Sequence, residues 1–186
     1  MAWKEFRCGK RGKDDAQLFE RNLEDNLFNL HSALRPRTYR HGSYESFYIN
    51  DPKSRNIQKA GVRDRVLHHA IYMILYTIFD RGFIFDSYSC RLEKGTHKAV
   101  SRLEKFVRKV SKNYAGPCFA LKCDVKKFFA SVDHEILKEI IRKKISDSDV
   151  IWLLEEIISS FPLDLPSANR EREREREYFC DAEVAF

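Results

Sequence analysis

The sequence predicts an α+β protein, rich in helix, with a small antiparallel sheet. Apolar residues recur at helical spacing in five stretches, whereas strand-like stretches are few and short. The order of elements also lacks repeated strand–helix–strand units, which speaks against a parallel α/β sheet. At 186 residues and 43% hydrophobic, the chain is long enough for one domain with a substantial core, or for part of a larger one.

Residues 1–15 are basic and contain glycine, so they read as a mobile arm. Over 16–34, Phe19, Leu23, Leu27, Leu30 and Leu34 fall at helical spacing, and Pro36 ends that helix. Aromatic and β-branched residues over 39–50 suggest a hairpin turning at His41-Gly42-Ser43. Val62, Val66, Leu67, Ala70, Ile71, Ile74, Leu75 and Ile78 make a wide stripe, the best-specified core helix of the chain. A further helix is predicted from about 96 to 112, with Thr96 as N-cap and Val100, Leu103, Phe106 and Val110 in its buried face. Phe119, Leu121, Cys123 and Val125 alternate with Ala120, Lys122 and Asp124, the pattern of a buried strand. Two more helices follow, one on Ile136, Leu137, Ile140 and Ile141 and one on Val150, Leu153, Leu154, Ile157 and Ile158.

The net charge of +6 biases the chain toward an anionic partner such as nucleic acid. Five cysteines, scattered and never in a C-x-x-C pair, indicate neither a disulfide framework nor a zinc site. The N-terminus has no apolar signal core, and the longest apolar run, 71–79, is too short to span a bilayer. A reduced, cytoplasmic protein without a membrane partner is therefore expected.

Three stretches carry the chemistry: FYINDPKSRNIQKAGVRDR at 47–65, FIFDSYSCRLEKGTHKAV at 83–100 and FALKCDVKKFFASVDH at 119–134. In the first, Lys53 and Arg55 stand two apart, so on a strand they face one side and either hold a polyphosphate or form a solvated charge pair. Arg63, Asp64 and Arg65 read as a structural ion pair or as a nucleic-acid contact. In the third, Asp124 is either an exposed strand-end carboxylate or one ligand of a hard divalent cation. Asp133 fits an N-cap for the helix behind it.

Taken in order, these stretches resemble the N-terminal half of bacterial reverse transcriptases, the group that includes group II intron, retron and diversity-generating enzymes. The resemblance covers roughly residues 39–161. It implies a fingers-like region at 16–117 and a partial palm at 118–161, between the basic arm at 1–15 and a tail at 162–186. It also implies RNA template, DNA primer or RNA–DNA hybrid, and deoxynucleoside triphosphates as partners. Lys53 and Arg55 match the positions that meet the nucleotide's triphosphate, and Arg63 and Arg65 match an Arg-Asp-Arg element near nucleic acid. Ser87, Tyr88, Arg91, Lys94 and Thr96 match a segment along the template strand, where such donors hold backbone phosphates without reading bases. By the same resemblance Asp124 binds two catalytic Mg²⁺ ions, the carbonyl of Val125 binds one of them, and Phe129 is the steric gate against a ribose 2′-hydroxyl, with Phe128 in the core.

The sequence departs from that pattern in two places. Glu93 stands where the family often has glycine, and the Y-x-D-D motif with its two further carboxylates does not occur. The expectation is thus a truncated fragment, inactive by itself. Residues 170–177 alternate Arg and Glu, which a GA repeat encodes in every reading frame, so the residues after about 161 are expected to be out-of-frame sequence. Two other readings stand beside this one: a non-catalytic nucleic-acid-binding module, and an unrelated helix-rich scaffold.

Overall fold

The computed structural model describes residues 1–50, 54–125, 128–161 and 183–185. In chain order it holds α1 (Ala2–Phe6), α2 (Asp14–Arg21), α3 (Leu23–Leu34), β1 (Glu45–Asn50), β2 (Ser54–Lys59) and α4 (Val62–Phe79). A 3₁₀ turn (Asp80–Gly82) follows, then α5 (Thr96–Val110), β3 (Ala120–Lys122), α6 (Phe128–Ser131), α7 (His134–Arg142), α8 (Ser148–Ser160) and β4 (Glu183–Ala185). The fold is α+β and helix-rich, with antiparallel pairing of β1 with β2 and of β3 with β4. The chain divides into two compact units, the first Met1–Ile78 and Asp133–Pro162, the second Phe79–Val132 and Leu163–Phe186.

The first unit is built on two apolar clusters. Trp3, Phe6, Phe19, Val62 and Val66 form one, with Leu23 and Leu27 packed against it. Leu30, Tyr39 and Leu67 form the other, flanked by Ala33, Leu34, Ile71, Trp152 and Leu153. Burying a side chain of this size contributes about 1.5–3 kcal/mol, which holds α1 against the core within the segment expected to be a mobile arm. Trp3 is only 8% exposed and its ring lies 5.3 Å from that of Phe19, so α1 is held in the core despite its basic surroundings.

The helix expected over 16–34 is two helices. Asn22 breaks it with φ −119° and ψ 43°, and the Asn26 amide donates to the freed Phe19 carbonyl at 2.9 Å. Short polar side chains that bond backbone groups compete with the helix ladder in this way. The hairpin is also displaced from its expected place. β1 pairs with β2 in the register Phe47↔Ile57 and Asn50↔Ser54, while His41-Gly42-Ser43 lies ahead of β1. The Gly42 amide donates to the Asp64 carboxylate at 3.0 Å, a tertiary bond that takes the donor a local turn would have used. The α4 stripe is buried only at its start: Val62, Val66 and Leu67 are inside, Ile74 and Ile78 are exposed.

In the second unit α5 forms as the periodicity predicts, but no residue of it is buried, and Val100 is 61% exposed. Its N-cap is Gly95, at φ 125°, which displaces Thr96 to the first helical position. Only glycine takes that backbone conformation without strain. Behind α5, Lys112, Asn113 and Tyr114 are all left-handed, and buried Ser111 ties this reversal by accepting the Tyr114 amide at 2.8 Å. The expected buried strand at 119–125 is three residues long and exposed on both faces, with Phe119, Leu121, Val125 and Phe128 all in solvent. Alternation predicts a strand, but burial needs a second layer against it, and among the described residues nothing buries β3.

The last two helices are where the periodicity puts them. Asp133 accepts the Glu135 and Ile136 amides at 2.9 and 3.2 Å, and Asp147 accepts those of Asp149 and Val150 at 2.9 and 3.0 Å. Each carboxylate satisfies donors the first helical turn leaves open.

Candidate nucleic-acid interface

The Arg-Asp-Arg element opens α4, and its middle residue is the most buried charge described in the first unit, with Asp64 2% exposed. Tyr39 donates its hydroxyl to Asp64 at 2.8 Å, Gly42 its amide at 3.0 Å, and Arg63 its Nε at 2.9 Å. Burial pushes the Asp64 pKa up, and the hydrogen bonds from Tyr39, Arg63 and Gly42 outweigh it, leaving the carboxyl below its ordinary range. Tyr39 is raised correspondingly, by burial first and then by its bond to Asp64. Arg63 also donates to the Arg40 carbonyl at 2.6 Å and lies over the Tyr39 ring at 5.2 Å. Arg65 donates to Asp15 at 2.6 Å, beside Lys59 at 2.9 Å from the same carboxylate. Both arginines are thus engaged within the fold, Arg63 half-exposed and Arg65 less so.

Of the two expected triphosphate contacts, Arg55 stands on β2 opposite Ile49. Lys53 lies outside the described residues.

The segment over 83–96 folds around Arg91. Its Nε donates to Asp80 at 2.6 Å, its Nη2 to the Asp80 carbonyl at 3.2 Å, and its Nη1 to the carbonyls of Ile84 and Ser87 at 3.0 and 3.3 Å. Arg91 therefore organises the loop from inside. Lys94 donates to the Phe85 carbonyl and sits 4.1 Å from the Phe85 ring centre and 5.0 Å from that of Tyr88. Tyr88 donates to Asp86 at 3.2 Å, and Arg102 of α5 pairs with the same carboxylate at 2.9 Å. That pairing, first of all, holds the Asp86 carboxyl below its ordinary range. The loop thus gathers Ser87, Tyr88, Arg91 and Lys94, with Thr96 exposed at the start of α5. Glu93 has φ 58°, the left-handed region that favours glycine, so a physical cost accompanies its departure from the family pattern.

Sequence reasoning missed Arg102, Asp80 and Asp86. An Arg–Asp pair eleven or sixteen residues apart leaves no periodic signal, because a loop and not a helix brings the partners together.

Asp124 follows β3 by two residues and is exposed, as is Val125. Phe129 is 81% exposed and meets Phe128 edge-on, ring centres 5.5 Å apart. A hard cation takes about six oxygen ligands. Among the described residues no group of three or more His, Cys, Asp or Glu side chains could hold a metal, so Asp124 and the Val125 carbonyl do not by themselves fit a two-ion site.

No protein-family model matches the chain. It is 28% identical over 93 residues to the nuclear intron maturase 1, mitochondrial, of Arabidopsis thaliana, covering 50% of this chain and 12% of that protein. It is 25% identical over 113 residues to protein YkfC of Escherichia coli K12, covering 61% and 29%. To the group II intron-encoded protein LtrA of Lactococcus lactis it is 22% identical over 134 residues, covering 70% and 21%. The chain therefore spans less than a third of the length of these relatives. Its relatives by sequence include an intron maturase and an intron-encoded protein. Among the described residues no helix is long and apolar enough to cross a membrane.

Proposed function

We propose that the chain is a nucleic-acid-gripping portion of a protein related to reverse transcriptases, holding an RNA template or RNA–DNA hybrid by its phosphates. The parent reaction is nucleotidyl transfer from deoxynucleoside triphosphates to a primer. The observation that carries this reading is the succession of three motifs, at 47–65, 83–100 and 119–134, in a chain whose distant relatives are named for introns. The loop at 83–96 supports it physically. Tyr88 and Lys94 are stacked on a scaffold that Arg91 fixes from inside, and Lys98 and Arg102 stand on the helix that follows. Hydroxyls and cations on a preformed loop suit phosphate oxygens, which position a strand without reading its sequence.

One observation favours binding over catalysis in this chain. The acidic group expected to do chemistry is an exposed carboxylate, Asp124, which belongs to no cluster of three or more metal-ligating side chains among the described residues. Filter binding of an RNA–DNA hybrid tests the proposal. Raising salt from about 50 to 200 mM is expected to weaken binding at least tenfold, since each phosphate neutralised releases counterions. A flat salt response overturns the proposal. Primer extension on poly(rA) is expected to show no incorporation, and incorporation that Asp124→Ala abolishes would show that the lone carboxylate is sufficient after all.

A further inference from the structure

The sequence motifs leave unused a pair of histidines in the first unit. His41 precedes β1 and His68 lies on α4, twenty-seven residues on, and their Nε2 atoms are 3.1 Å apart. The ring planes are within 12° of parallel, with centres 5.1 Å apart. His41 Nδ1 lies 2.6 Å from the Gly42 carbonyl, which only accepts, so Nδ1 carries the hydrogen. In the neutral ring that leaves His41 Nε2 as an acceptor, and His68 Nε2 must donate to it. The proton arithmetic follows from these positions. One extra proton, on either ring, leaves a single Nε2–H···Nε2 bond intact, since the neutral partner accepts. A second puts a hydrogen on both Nε2 atoms, which removes the lone pair that accepts the bond and sets two cations 3.1 Å apart.

We propose that His41 and His68 form a latch that counts protons: it stays closed with none or one, and opens when both rings are cationic, parting the His41 side chain from α4. The groups around it set the balance. From α4, Asp64 favours a cation and Arg63 opposes one; from α8, Glu156 accepts the His41 amide at 3.2 Å and pairs with Arg40 at 2.8 Å. On the segment itself Tyr44 stacks on His41 at 4.8 Å, and Tyr39 is held by Asp64. Burial first, then His41, lower the pKa of His68, and Asp64 opposes them. A neutral ring is therefore the favoured state in the fold. Its contribution to stability is full above the ordinary imidazole range, near pH 6.5, and is lost as pH falls below it. Opening removes this one tie ahead of β1: Asp64 keeps its hold on Tyr39 and Gly42, and Arg63 on the Arg40 carbonyl, so the backbone stays anchored while the His41 ring turns away.

The test is a long-range ¹H–¹⁵N titration of the whole chain from pH 8 to 5, following all six histidines. His41 and His68 are expected to titrate in two separated steps, and the amides of Gly42, Ser43 and Tyr44 to shift with the second. His41→Gln, which can still accept from His68 but cannot charge, is expected to remove those amide shifts. Two steps that coincide with those of the other four histidines overturn the latch. So do amides that stay put during the second step, and so does an unchanged amide response in His41→Gln. Should that variant fail to fold, the titration of the unaltered chain decides alone.

Discussion

Asp64 shows how far a short motif can be read at the level of single residues. Arg-Asp-Arg at a helix start announces charge pairing, and the structure makes Asp64 the acceptor for Tyr39, Gly42 and Arg63. Neither Tyr39 nor Gly42 was legible as a partner, because both lie more than twenty residues away and carry no pattern linking them to Asp64. Asp64→Ala is expected to cost about 3 kcal/mol in urea unfolding, since it strands a buried hydroxyl and an amide without acceptors. The depressed pKa of Asp64 adds a pH dependence. Its contribution is full above the ordinary carboxylate range and disappears as pH falls through the lower folded value, so Asp64→Asn is expected to flatten the acid limb of a stability–pH curve. At Gly42 a Cβ would stand 2.8 Å from Asp64 Oδ2, closer than atoms approach. Gly42→Ala is expected to destabilise by about 1–3 kcal/mol, read from the same urea midpoints.

Elements were legible to unequal degrees. Where a local signal suffices, sequence and structure agree: the expected carboxylate cap Asp133 starts α7. Asp147 starts α8 in the same way, and either replacement by Ala is expected to cost about 0.5–2 kcal/mol in thermal unfolding. Where a signal is only an apolar stripe, the helix forms but its burial does not follow. Val66 on α4 is inside, whereas Leu103 on α5 is exposed although both sit in equally regular stripes. Val66→Ala is expected to cost about 2 kcal/mol or more, and Leu103→Ala less than about 0.5, a contrast urea unfolding resolves. Periodicity reports which face of a helix is apolar. It does not report what lies opposite that face.

For the whole molecule, the first unit depends on a segment that composition alone assigns to solvent. Five charged side chains in the first eleven residues mask the two aromatic side chains, Trp3 and Phe6, that anchor α1 beside Phe19 and Val66. Trp3→Ala is expected to cost about 3–5 kcal/mol, measured by loss of the urea midpoint, and a mobile arm would show no effect. The second unit has the opposite character, with β3 and one face of α5 exposing Leu121, Val100 and Phe106.

The sequence by itself determined the α+β class, the position of most helices, the Asp133 cap and the three motifs that carry the functional reading. These depend on contacts within a few residues or on residue order, which a linear pattern records directly. Only the tertiary structure decided that Trp3 and Phe6 are core, that Asn22 divides a helix, and that the hairpin lies at 45–59. It alone decided that Arg91 faces into its loop and that His41 meets His68. Each of these rests on partners brought together by the fold, between which sequence spacing carries no information.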